Sequence, residues 1–260
     1  MSRLIITIVS AGLLTLVSAT CVEAQDDDRM AKFVPTEIWA CNYNEGQGPN
    51  NLDAAAGKWN AYMDENKADN YLAWTLTPQY FSDVQDFDVL WLGAWKDGNA
   101  MGQGRDNYHA TGGAVMAEFG KVVDCGAHVG FVSRAFKLPP DNDSGPGNTG
   151  VITFTDCSIK DGATYETVVA GLSAWAKTLS DSGSDGALYQ WWPVYGGGGE
   201  SAFDFKLLGV HPNHASLGAD LERMGNGELW RKRMELVGDQ FDCDVSRVYD
   251  AKLRRAAKVR

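Results

Sequence analysis

The chain has 260 residues, 44% of them apolar, nine tryptophans and a net charge of −11. That apolar and aromatic content is ample for a packed core and excludes a disordered polar chain. So acidic a protein repels phosphate backbones, which argues against nucleic acid as a partner.

The first 24 residues read as a secretory signal peptide. Arg3 supplies the positive charge, Leu4 to Ala19 the apolar stretch, and Val22-Glu23-Ala24 the small residues that cleavage needs, so the mature chain is expected to start at Gln25. A membrane anchor is the alternative, but the apolar run is short for a span and no stop-transfer pattern follows it. Cys21 raises a lipoprotein reading, against which Ser18-Ala19-Thr20 lacks a large aliphatic residue. Cleavage removes Arg3 and Glu23, so the charge is unchanged. Residues 25–32 are acidic, polar and expected to be disordered. A periplasmic or secreted protein, with no stable membrane insertion, is the implied setting.

Residues 33–41 read as a strand, followed by a polar loop. Asn51 then caps a helix with Leu52, Ala55, Ala56, Trp59, Tyr62 and Met63 on one face. Residues 71–77 and 87–95 read as a hairpin. The stretch 99–123 reads as helical, broken at Gly112-Gly113. A strand at 128–136 closes this first half, residues 33–137. Residues 138–150, rich in Pro, Asn and Gly, read as a linker. The second half, 151–254, gives the same order. Residues 151–156 form a strand, and Tyr165, Val168, Val169, Leu172, Trp175 and Leu179 form a helical stripe. Two strands flank Gly196 to Gly199, a second helix contains Gly225 and Gly227, and a last strand spans 245–249. Residues 255–260 read as a basic tail.

The two halves repeat each other at about 116 residues. Cys41 and Trp59 recur as Cys157 and Trp175, Phe87-Asp88 as Phe203-Asp204, Gly93 as Gly209, and Val132-Ser133-Arg134 is echoed by Val245-Ser246-Arg247. The order is β-α-β-β-α-β twice, the ferredoxin-like unit. Four cysteines remain after export, and four allow three connectivities. The repeat and the topology both favour Cys41–Cys125 and Cys157–Cys243, since first and last strands of such a unit are neighbours. Metal ligation is the weaker alternative because no C-x-x-C occurs.

On this element order and duplication the chain resembles the dimeric α/β-barrel superfamily, which includes antibiotic-biosynthesis monooxygenases, polyketide-cyclase-like proteins and some haem-handling enzymes. The resemblance covers residues 33–254. It implies an α+β fold in which two tandem ferredoxin-like repeats form an intrachain pseudo-dimeric α/β barrel, a monomer with an internal pseudo-two-fold axis.

Candidate ligand-binding residues are fewer and lack a catalytic motif. Trp95 corresponds to His211, and His211-Pro212-Asn213-His214 places two imidazoles together; a polar loop around a helix start is the structural reading, and no metal is assigned. His109 is a candidate base or a surface histidine. Asn42, Trp74 and Trp95 with His109 define one possible pocket, and Tyr189 with His211 and His214 another. Arg134 and Arg247 sit at matching sequence positions, as structural ion-pair partners or a carboxylate clamp. The expectation is an exported α/β-barrel protein that binds an apolar or aromatic small molecule, or serves a stress role, without a cofactor. The alternative is a cofactor-independent monooxygenase- or isomerase-like enzyme.

Overall fold

The computed structural model describes residues 32–83, 85–140, 147–197 and 203–257. The expected signal peptide and most of the N-terminal segment, linker centre and last residues lie outside this set. In chain order the first half comprises β1 (Val34–Tyr43), α1 (Pro49–Glu65), β2 (Tyr71–Tyr80), β3 (Val89–Trp95), α2 (Gly98–Thr111), α3 (Gly113–Gly120) and β4 (Val123–Lys137). The second comprises β5 (Thr149–Ile159), α4 (Tyr165–Asp181), β6 (Ala187–Tyr195), β7 (Phe205–His211), α5 (His214–Gly225), α6 (Leu229–Val237), β8 (Phe241–Cys243) and β9 (Arg247–Arg255).

The strands form one antiparallel sheet in the order β7-β6-β4-β1-β3-β2-β9-β5-β8, and a β7–β5 pairing closes it into an eight-stranded barrel with β8 on the rim of β5. Within the first half the order is β4-β1-β3-β2, and within the second β9-β5-β7-β6. The halves meet through two ladders, β2 on β9 and β4 on β6. Among the described residues, closure leaves no long free edge to pair with another chain.

Alternation along the strands splits the apolar residues between two cores. One face fills the barrel with Leu76, Leu90, Leu92 and Phe131 from the first half and Ile152, Phe154, Trp191 and Leu208 from the second. The other face lies under the helices. There α1 lays down Leu52, Ala55, Ala56, Trp59 and Met63, spaced for one helical face. The second half repeats this with Val168, Leu172, Trp175 and Ala176 of α4 under a Thr164–Thr167 capping pair.

Several boundaries differ from the sequence expectation. Asn51 lies inside α1; Gly48 is the cap residue, and its amide donates to Asn51 Oδ1 at 3.1 Å. The strand β4 starts at Val123, so Cys125 lies within it rather than before it. The second helix of the second half is two helices, because Glu228 takes a left-handed backbone, φ 56°, beyond Gly227. The short β8 was not anticipated, and β9 runs on to Arg255, whose buried guanidinium reaches Asp64 at 3.0 Å. Arg255 therefore belongs to the barrel, not to a tail.

The disulfides are Cys41–Cys125 and Cys157–Cys243, with Cα separations of 3.9 and 4.0 Å. Each joins directly paired residues, β1 to β4 and β5 to β8. A register shift between Ala40 and Cys41 places the extra residue Gly126 on β4, whereas the second half breaks the strand between Cys243 and Arg247. This accounts for the unequal spacing in the repeat, where Ser133 follows Cys125 by eight residues and Ser246 follows Cys243 by three. It also means Arg134 and Arg247 are not structural equivalents. Val34 pairs with Ser133, next to Arg134, while Arg247 pairs with Phe154 in the middle of β5.

Candidate functional site

Each half holds a cavity between its helices and the outer face of its sheet. The first-half cavity, about 280 Å³, lies under α1, α2 and α3. Trp39 of β1, Trp91 and Trp95 of β3, Trp59 of α1, Tyr108 of α2 and Phe119 of α3 line it. Such an aromatic wall with few polar groups suits a small apolar ligand.

Bordering this cavity is a polar cluster centred on the buried Glu37 of β1. Tyr71 Oη donates to Glu37 Oε1 at 2.7 Å, and Trp91 Nε1 donates to Tyr71 Oη at 3.2 Å. Arg105 of α2 pairs with Glu37 Oε2. His128 Nε2 lies 2.9 Å from Glu37 Oε2 and 2.9 Å from the Arg105 guanidinium. A carboxylate only accepts and a guanidinium only donates, so Nε2 can donate to Glu37 or accept from Arg105 but not both at once; the His128–Glu37 hydrogen bond is the one that favours ionised Glu37. The His128 ring stacks on Trp39, centroids 3.6 Å apart.

Burial pushes the Glu37 carboxyl up, but the His128 hydrogen bond, the Arg105 charge and the Tyr71 hydrogen bond outweigh it, so the group lies below its ordinary 4.5 and is ionised. Burial, then the Glu37 charge, hold the Tyr71 hydroxyl well above its ordinary range. Burial and neighbouring Tyr62 push Tyr108 up to about 12. The Tyr108 hydroxyl has no hydrogen-bond partner among the described residues, and it lines the cavity.

The second-half cavity, about 430 Å³, lies under α4, α5 and α6 and is more polar. His211 is buried in its wall. The His211 ring lies across two glycines: a β-carbon at Gly186 would stand 2.9 Å from Nδ1, and one at Gly209 would stand 3.1 Å from Nε2. Nδ1 is 3.5 Å from both Asp220 Oδ2 and Ser216 Oγ. Burial holds His211 below its ordinary pKa despite the Asp220 charge.

Of the residues singled out in the sequence, Trp95 lines the first cavity and His211 the second. The others are elsewhere. Trp74 and Tyr189 pack against the barrel-interior core. Asn42 is exposed and donates to the Asp86 carbonyl at 3.3 Å. His109 is exposed on α2, while Arg105 and Tyr108 of the same helix turn inward. His214 is exposed and pairs with Asp250 at 2.7 Å. Arg134 approaches the Tyr165 hydroxyl at 3.3 Å, and Arg247 pairs with Asp156 and Asp244. The structure thus does not bring His109 together with Trp74 and Asn42, nor His214 and Tyr189 with His211. Sequence reasoning passed over Glu37, Tyr71 and His128. The available signal was Glu37 itself, a charged residue in an otherwise half-buried strand.

Neither a protein-family model nor a curated protein sequence matches the chain. Solved structures do match in fold. A protein provisionally described as a monooxygenase from Lactobacillus acidophilus NCFM aligns with 87% of this chain and 96% of its own, at 10% identity and TM-score 0.53. A double mutant of chlorite dismutase from Candidatus Nitrospira defluvii aligns with 84% of this chain and 91% of its own, at 10% identity and TM-score 0.50. A single mutant of the same enzyme gives 86%, 94%, 10% and 0.50. At this identity the likeness is one of fold: the chain has the dimeric α/β-barrel architecture of these proteins.

The haem-handling enzymes that the sequence resemblance includes prompt a test of fit. A haem iron needs an axial side chain directed into an open slot. His128 is exposed but engaged by Glu37 and stacked on Trp39, His211 lies across Gly186 and Gly209, and His109 and His214 are exposed. These imidazoles do not fit a haem ligand. Among the described residues no group of three or more His, Cys, Asp or Glu is placed to hold a metal. No described helix is long and apolar enough to cross a membrane.

Proposed function

We propose that this is an exported binding protein that takes an apolar aromatic small molecule into the first-half cavity. The observation that carries the reading is the cavity itself: some 280 Å³ walled by aromatic side chains from β1, β3, α1, α2 and α3. The Tyr108 hydroxyl and the Arg105 guanidinium are the polar groups at hand for a ligand oxygen. Two disulfides support residence in an oxidising compartment. The equal strand orders of the halves, and the same pairing of Cys41 with Val89 as of Cys157 with Phe205, support two fused ferredoxin-like copies in one monomer.

The enzyme reading, a cofactor-independent oxygenase or isomerase, requires a base facing the ligand. Glu37 is ionised but accepts from Tyr71, Arg105 and His128. Tyr71 and Tyr108 keep their protons at neutral pH. None of these three groups is poised to take a proton, which favours binding over catalysis.

A titration of tryptophan fluorescence with 1-naphthol tests the reading. Leu52 is 3% exposed and lines the cavity, so Leu52→Trp fills it. Saturable 1:1 binding that Leu52→Trp abolishes and Tyr108→Phe weakens severalfold is expected. Binding that is absent, or unchanged in a folded Leu52→Trp variant, overturns it.

A further inference from the structure

The second-half cavity carries an unbalanced charge. Three aspartates line it, and each has a cationic partner: Asp220 with Arg223 at 2.7 Å, Asp242 with Lys160 at 2.9 Å and Asp244 with Arg247 at 3.0 Å. Arg233 of α6 lines it too, and among the described residues it makes no ion pair and no hydrogen bond. Its neighbours on the helix behave differently. Arg231 pairs with Glu228 at 3.4 Å and Lys232 with Glu235 at 2.8 Å, both outside the cavity. Arg233 is less exposed than either and borders a space of about 430 Å³. A guanidinium drawn out of water without a partner costs free energy unless an anion meets it.

The rest of the lining describes what such an anion would be attached to. Trp175 and Leu179 of α4, Leu188 of β6, Leu207 of β7, Met224 of α5 and Phe241 of β8 supply an apolar wall. His211 is kept neutral by burial and adds no competing charge. The polar neighbours Thr153 and Ser184 are already engaged, with Gly209 N at 3.0 Å and Asp220 at 2.8 Å.

We infer that the second-half cavity is a separate binding site for a small monocarboxylate with an apolar body, its carboxylate paired with Arg233. A planar guanidinium matches a carboxylate in two parallel hydrogen bonds, which an alcohol of the same shape cannot form. The aliphatic or aromatic nature of the body is a second question, which competition resolves.

The test uses the mature full-length chain at pH 7 and the fluorescent carboxylate 11-(dansylamino)undecanoic acid, displaced by decanoate, decanol, 1-naphthoate or 1-naphthol. One of the two acids displaces the probe at a concentration at least about tenfold below its own alcohol, the scale of a charged hydrogen bond. Which acid does so identifies the body. Arg233→Gln abolishes the acid preference, Arg233→Lys retains part of it, and Leu52→Trp, which fills the other cavity, leaves it intact. Unchanged probe affinity in Arg233→Gln, or equal competition by acid and alcohol, overturns the assignment. So does loss of probe binding in Leu52→Trp with retention in Arg233→Gln. A failure of 1-naphthol to enter the first-half cavity leaves this site unaffected, so the two readings fail separately.

Discussion

Gly93 lies directly beneath the Tyr71 hydroxyl: a β-carbon at Gly93 would stand 1.9 Å from Tyr71 Oη. The missing side chain is what lets Tyr71 reach across β3 to donate to Glu37. Its counterpart Gly209 has a looser fit, with Thr153 Oγ1 at 2.8 Å and His211 Nε2 at 3.1 Å. Gly93→Ala should therefore displace Tyr71 and cost about 3 kcal/mol, and Gly209→Ala about 1 kcal/mol, on the usual scale of overpacking. Denaturant unfolding of both variants checks the order; equal costs would contradict it.

The depressed pKa of Glu37 makes a statement about acid stability. Its ionised form is favoured in the folded state, so its contribution is fully present above its ordinary pKa of 4.5 and is lost as pH falls through the lower folded value. Glu37→Gln leaves Arg105 without its partner and should cost about 3 kcal/mol at pH 7. The stability gap between the natural chain and Glu37→Gln should hold from pH 7 to about 5 and narrow below about 4.5. Unfolding at pH 7, 5 and 3 measures it, and a gap that widens in acid would reverse the sign.

The disulfides join cysteines 84 and 86 positions apart in the chain. In the chain-entropy account each contributes about 4 kcal/mol by restricting the unfolded chain. Replacing Cys157 and Cys243 together with alanine should lower stability by that order, as should the same change at Cys41 and Cys125. A double replacement that costs less than about 1 kcal/mol would place the stabilisation elsewhere.

The strands and first helices were legible because their apolar residues keep clear periods of two and 3.6, and because two halves repeat one pattern. The disulfide partners followed from the same repetition. The extent of β4 and β9 was not, since Gly126 and the break before Arg247 change the register without a hydrophobic signal. Of the cavity linings, two positions were legible. Trp95 and His211 occupy matching strand ends and each lines a cavity. Asp97 and Asn213, at matching positions, cap α2 and α5 by accepting from Ala100 N and Ser216 N at 2.8 and 2.9 Å. Which helix residue then faces inward is set by helix rotation over the sheet. That rotation turns Arg105 in and leaves His109 out, and one sequence does not reveal it. Glu37, Tyr71 and His128 come from three strands, so only the barrel register unites them.

The most direct measurement of the central claim is native mass spectrometry of the protein purified without denaturation, titrated with 1-naphthol. The account predicts one ligand per chain for the natural protein and none for a folded Leu52→Trp variant. Equal loading of both proteins, or no retained ligand in either, would contradict a binding site in the first-half cavity.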